Sequence, residues 1–192
     1  MAGYLGNAPT AVPLTSADIT DGIITSAKIA DGTIVNADIN ASAAIASTKL
    51  SGVANTPAFS AYQSSTQSIS NSSHTKIQFQ TEDFDSNNCF DSTTNYRFTP
   101  TTAGYYLLTA CLRCDSATAE HYLQLYKNGS NHKNFFDLQA TNVYAMNGSA
   151  LVYANGSTDY FEIYFFQNSG TSKTTASGAN QTYFSGFRIL GV

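Results

Sequence analysis

Residues 19–50 carry an aliphatic side chain every five positions. Ile19, Ile24, Ile29, Ile34 and Ile39 follow without a gap, and Ile45 and Leu50 continue the row with one slip. Written in tens, the segment reads ADITDGIITS, AKIADGTIVN and ADINASAAIA, and Asp21-Gly22 and Asp31-Gly32 recur at one offset. A spacing of five fits neither the 3.6 of a helix, nor the 3.5 of a coiled coil, nor the plain alternation of a strand. It implies short extended pieces joined by tight bends. One copy of such a segment cannot bury its isoleucines, whereas repeat architectures bury theirs by stacking. Stacking of three copies about an axis would do so, and a disordered linker would carry few aliphatics. We therefore expect a repetitive trimeric shaft over 17–52, with Ile19, Ile24, Ile29, Ile34, Ile39, Ile45 and Leu50 at its centre.

The remainder reads as strands. The chain has 12 Tyr and 12 Phe and no Trp, and aromatic and β-branched residues favour strands. Extended runs are expected at 58–69, 76–79, 95–98, 104–114, 120–127, 135–138, 148–154, 158–167 and 181–190. Asn128-Gly129, Asn147-Gly148 and Asn155-Gly156 supply hairpin signals. Turn signals 8–12 residues apart suggest a sandwich or jelly roll.

Alternation assigns faces. In 158–167, Phe161, Ile163 and Phe165 share one face, and Tyr160, Glu162, Tyr164 and Phe166 the other. In 120–127, Leu123 and Leu125 oppose Tyr122, Gln124 and Tyr126. In 104–114, Tyr106, Leu108, Ala110, Leu112 and Cys114 oppose Tyr105, Leu107, Thr109, Cys111 and Arg113. One face is a core and the other is rich in tyrosine. An open aromatic face of this kind marks an interface, with Tyr105, Tyr122, Tyr126, Tyr160, Tyr164 and Phe166 expected between subunits.

Charged residues make up only 11% of the chain and the net charge is −4. That excludes the basic footprint of nucleic-acid binding and of attachment to anionic membranes. No stretch approaches the ~20 apolar residues of a membrane span, and the first residues do not form a secretory signal. Cys111 and Cys114 have CxxC spacing, but on a strand their sulfurs face opposite ways, so all three cysteines, with Cys89, read as small buried hydrophobes. His74, His121 and His132 stand apart from any nucleophile, and no hydrolase, phosphate-loop or dinucleotide motif is present. The six Asn-x-Ser/Thr sites, without a secretory signal, read as turn and surface residues. Glu82, Asp83, Asp85 and Asp91 form the one carboxylate cluster. It lacks calcium-loop spacing and reads as a solvated loop. No cofactor, obligatory metal or catalytic residue is expected.

Residues 95–108, NYRFTPTTAGYYLL, resemble the signature of the complement component 1q globular head, of the tumour-necrosis-factor-like superfamily. Phe98 stands where a strand ends and Gly104-Tyr105-Tyr106 where the next begins. Residues 125–129, LYKNG, are similar to that family's Leu-x-Lys-Asn-Gly hairpin, and 183–190, YFSGFRIL, to its closing strand. The resemblance covers residues 57–192 and implies an all-β, ten-stranded jelly-roll sandwich forming a homotrimer, often on a fibrous stalk. Residues 1–52 resemble the N-terminal and shaft repeats of tailed-bacteriophage fibres. The expected organisation is an attachment segment at 1–16, a shaft at 17–52, a linker at 53–56 and a head at 57–192.

The expected function is that of a structural virion fibre protein, lying outside the particle. Its partners would be two copies of itself, other virion proteins through the N-terminal segment, and a host-surface glycan or protein. Recognition loops are expected within 82–95, 114–120, 129–134, 139–147 and 168–180. An architectural role, as capsid decoration or tail adaptor, is the alternative. A glycan depolymerase is a third reading, weakened by the scarcity of acidic residues.

Overall fold

The computed structural model describes residues 55–190 continuously and, before them, residues 15, 17, 19–40, 42–45 and 49. The chain divides into two compact units, Met1–Lys49 and Leu50–Val192. The expected attachment segment lies outside the described residues save Thr15, as do Leu50 and positions 53 and 54 of the expected linker.

In the first unit the structural repeat is ten residues long. The Ile23 amide donates to Thr20 O at 3.1 Å and the Thr33 amide to Ala30 O at 3.1 Å, closing two β-turns. Gly22 and Gly32 hold the third turn position with φ of 76° and 78°. A type II turn demands a positive φ there, which is why Asp-Gly recurs. After each of these turns comes a 3-10 turn, at Ser26–Lys28 and at Asn36–Asp38, closed by Lys28 N to Thr25 O and Asp38 N to Val35 O, both 2.9 Å. Each ten-residue unit thus carries two isoleucines of the five-residue row. Those aliphatics have no core of their own: Ile19, Ile23, Ile24, Ile29, Ile34, Val35, Ile39 and Ile45 are 38–55% exposed.

The second unit contains eleven strands among the described residues: β1 Ala58–Tyr62, β2 Ser68–Ile69, β3 Thr75–Lys76, β4 Thr81–Asp85, β5 Phe90–Asp91, β6 Arg97–Phe98, β7 Gly104–Lys127, β8 Ser130–Ala154, β9 Phe161–Gln167, β10 Lys173–Thr174 and β11 Tyr183–Arg188. Its frame is the antiparallel ribbon β7–β8, turned by Asn128-Gly129 with φ of 54° and 77°, the positive pair that a type I′ turn requires. The Asn128 side chain locks the turn: its Nδ2 donates to Asp159 Oδ1 at 2.8 Å, and its Oδ1 accepts from the Tyr160 backbone amide at 3.0 Å.

Pairing shifts register between Arg113 and Ala119. Such bulges bend and twist a ribbon. Before the bend, β7 pairs with β11 (Tyr106–Cys111); after it, β7 pairs with β9 (His121–Lys127). The ribbon therefore serves both leaves of a jelly-roll sandwich. The first leaf runs β4-β1-β11-β7 and continues into the second half of β8. The second joins β7 and the first half of β8 to β9, with β3 and β6 paired to β9 and β5 to β6.

The core lies between the leaves. Phe59 of β1 stacks on Phe98 of β6, centroids 4.3 Å apart, and on Phe90 of β5 at 5.0 Å. Phe184, Tyr106, Leu108 and Leu112 face Leu123, Leu125, Phe161, Ile163 and Phe165, all fully buried. Each such side chain contributes about 1.5–3 kcal/mol through burial. The Tyr106 hydroxyl meets its need for a partner by donating to Thr102 O at 2.6 Å, and burial pushes its pKa up to about 12.

Three expectations change. Residues 114–120, 130–134 and 139–147 are not loops but part of the ribbon, with Ala117 opposite Val143, Ala119 opposite Ala140 and Leu125 opposite Lys133. Asn147-Gly148 is not a turn: Gly148 pairs with Ala110, and a Cβ there would lie 2.8 Å from Phe135 Cα. The glycine serves close packing of the two halves of β8. Finally, β4 falls within the acidic run expected as a loop, where Tyr62 and Phe59 pair with Thr81 and Asp85.

Candidate binding and assembly surfaces

Alternation along the first leaf sends one set of side chains away from the core. On β7 these are Tyr105, Leu107, Thr109 and Cys111; on β8, Leu151 and Tyr153; on β11, Ser185 and Phe187; on β4, Phe84. Cross-strand neighbours bring them together. Tyr105 stands opposite Tyr153 with ring centroids 5.5 Å apart, and Leu107 lies between Leu151 and Phe187. Leu151 is 60% exposed, and Phe84, Tyr105, Tyr153 and Phe187 are exposed too. A groove of about 290 Å³ runs between Phe84, Leu107, Thr109 and Phe187, with no charged residue in its lining. A contiguous exposed apolar face of this kind marks a contact surface.

The second leaf presents a different outer face. Tyr126 and Tyr164 stack at 3.9 Å with planes 18° apart, and Tyr122 and Phe166 at 5.3 Å and 22°. His74 lies 4.8 Å beyond Phe166, and the Arg97 guanidinium sits 4.2 Å over the Tyr160 ring. All five aromatics are half-buried. Glu162, on the same face, is buried and meets Lys76 Nζ at 2.9 Å. Gln124 lies between Tyr122 and Tyr126. It donates to Asn134 Oδ1 at 3.0 Å, while its Oε1 is buried without a partner. Burial raises the phenol pKa values of Tyr122, Tyr126 and Tyr164, and for Tyr122 the carboxylates of Glu120 and Asp137 add to the effect.

Of the five tyrosines and one phenylalanine expected at one interface, the fold gathers four tyrosines and Phe166 on the second leaf and places Tyr105 on the first. Alternation along 104–114 places Leu107 beside Tyr105, but Phe84, Leu151, Tyr153 and Phe187 were missed as members of that surface. The period-two pattern of 151–154, with Leu151 and Tyr153 opposite buried Val152 and Ala154, was the signal available for two of them.

The polar loops are largely occupied with themselves. Asp91 accepts from the amides of Thr94, Thr93 and Asn95 at 2.9–3.0 Å and from Asn95 Nδ2 at 2.7 Å. These bonds hold its carboxyl well below the usual carboxylate range. The segment 168–180 is tied inward: β10 pairs with β2, Ala176 N donates to Arg113 O at 2.8 Å and Gly178 N to Gln63 O at 2.7 Å. Thr175 Oγ1 donates to buried Gln63, whose amide also reaches Gln67.

Among the described residues no group of three or more His, Cys, Asp or Glu is placed to hold a metal. All three cysteines are free. Cys111 points outward half-buried, while Cys114 points into the core, where burial pushes its pKa up to about 11. The His121 ring is fully buried, with Nδ1 3.0 Å from Ala119 O and Nε2 unpartnered. No helix among the described residues is long and apolar enough to cross a membrane.

No family model and no curated protein matches this sequence. Among solved structures, the globular domain of zebrafish complement 1qA aligns over 71% of this chain and 98% of its own, at 19% identity and a TM-score of 0.50. Murine APRIL aligns over 69% and 99% at 10% identity (TM-score 0.48), and the PRD1 vertex protein P5 over 69% and 96% at 16% (TM-score 0.46). The first of these shows the fold: the second unit is an all-β jelly roll of the complement 1q type.

Proposed function

We propose that the chain is a non-enzymatic structural fibre protein of a tailed-bacteriophage particle, a homotrimer whose jelly-roll head meets the host surface. The observation that carries the trimer is that each unit exposes an apolar surface that its own described residues do not cover. In the head this is the face of Phe84, Tyr105, Leu107, Leu151, Tyr153 and Phe187; in residues 19–45 it is the isoleucine row. Both point to association with further copies, and the resemblance to complement-type heads favours three. Tyr105 belongs to this interface; Tyr122, Tyr126, Tyr160, Tyr164 and Phe166 then face outward. The resemblance of residues 1–52 to phage fibre repeats supports the virion setting. Labelled antibody on purified particles tests that placement, with external label at a tail or capsid site expected. Binding of the purified protein to host cells tests the attachment role, and saturable binding that slows infection is expected.

A further inference from the structure

Gln124 is 4% exposed, and its Oε1 has no partner although it lies on the outward face of the second leaf, beneath the tyrosines. A buried acceptor without a donor is uncommon. Around it lie half-exposed rings in two stacks, Tyr126 on Tyr164 and Tyr122 on Phe166. The tyrosine rings among them present an apolar body with a polar tip. The rim supplies hydrogen-bonding groups of both kinds: Asn134 donates to Asp137 at 3.1 Å, and Asn168 donates to Glu120 at 2.9 Å.

We propose that this face is a platform for a neutral oligosaccharide, with Tyr122, Tyr126 and Tyr164 packing against its C–H faces and Gln124 Oε1 accepting from a hydroxyl. The inference rests on the reading above, in which the first leaf is covered by subunit contacts and the second stays open. Charge narrows the ligand. Glu162 is matched by Lys76, but Glu120 and Asp137 flank Tyr122 without a salt-bridged cation among the described residues. Their field opposes uronate or sialate groups and opposes a second copy of the same face, since like charges meeting across an interface are costly. A ring of tyrosine must swing aside for a hydroxyl to reach Gln124.

The test is calorimetric titration of the full chain with maltotetraose, cellotetraose, tetra-N-acetylchitotetraose and, as the acidic probe, tetragalacturonate. Tyrosine emission gives a second readout, because the chain has no Trp. At least one neutral probe is expected to bind saturably, with tetragalacturonate at least tenfold weaker. Tyr126→Ala and Gln124→Leu should each weaken binding at least tenfold, while Tyr126→Phe, which keeps the ring, should retain it. No binding of any neutral probe, or unchanged binding in both Tyr126→Ala and Gln124→Leu, overturns the proposal. Host-cell binding that survives periodate oxidation of surface glycans and is lost in Tyr126→Ala would also overturn it, because this face would then meet a protein receptor, while leaving the attachment role intact. Absence of any host-cell binding defeats the attachment role, and the titration still decides the platform.

Discussion

Gly186 stands opposite Leu108 in the β11–β7 pairing, facing the core, and a Cβ built on it would lie 2.4 Å from Leu108 Cδ2 and 2.9 Å from Leu107 O. Phe59 Cε1, at 3.2 Å, closes the third side. The closing strand can pack against β7 only because position 186 has no side chain.

Gly186→Ala should therefore destabilise the head by about 1–3 kcal/mol, the usual cost of overpacking a dense core. Chemical denaturation at fixed protein concentration measures it. Ser185→Ala, one position along on the outward face, should stay within about 0.5 kcal/mol.

His121 gives the head a pH dependence. Burial favours its neutral form and nearby Lys173 acts the same way, so its pKa is lowered from 6.5. Protonation then costs the folded state more than the unfolded one. The contribution is complete above pH 6.5 and is lost as pH falls from there toward the folded value, at up to about 1.4 kcal/mol per pH unit. Urea midpoints at pH 7.5 and 5.0 should separate for the wild-type chain and draw together for His121→Leu.

In the first unit, Ile24→Ser with Ile34→Ser removes two aliphatics from the row. Each loses the burial that association would provide, about 1.5–3 kcal/mol. Trypsin cleavage after Lys28 should speed up at least tenfold, while the head's melting transition stays in place. Equal cleavage rates would mean that the isoleucines are not buried in the wild-type protein.

Much of this architecture was written locally. Asp21-Gly22 and Asp31-Gly32 state their turns outright, as does Asn128-Gly129, and the alternation of Phe161, Ile163 and Phe165 names the core face of β9. What local pattern does not carry is which leaf a face belongs to. Tyr105 and Tyr122 lie on one strand, yet the register shifts after Arg113 pass that strand from one leaf to the other. Asp115-Ser116 does signal an interruption, and reads as a loop, but nothing in it says that the strand runs on through the bend into the other leaf. Asn147-Gly148 misleads for a related reason: its glycine answers to Phe135, a neighbour only in three dimensions. In β4, Glu82, Asp83 and Asp85 hide an edge strand, because carboxylates at a sheet edge look like a loop in sequence while they protect the edge from unwanted pairing.

The most direct test of the account is the solution mass of the full chain by size exclusion with light scattering. We predict three times the 20.5 kDa chain mass. Leu151→Asp with Phe187→Asp should raise the concentration at which the assembly dissociates by ~100-fold or more, since each places an unpaired charge in an apolar contact. A wild-type mass of a single chain at micromolar concentration would contradict the account, leaving both apolar surfaces without the partner on which it depends.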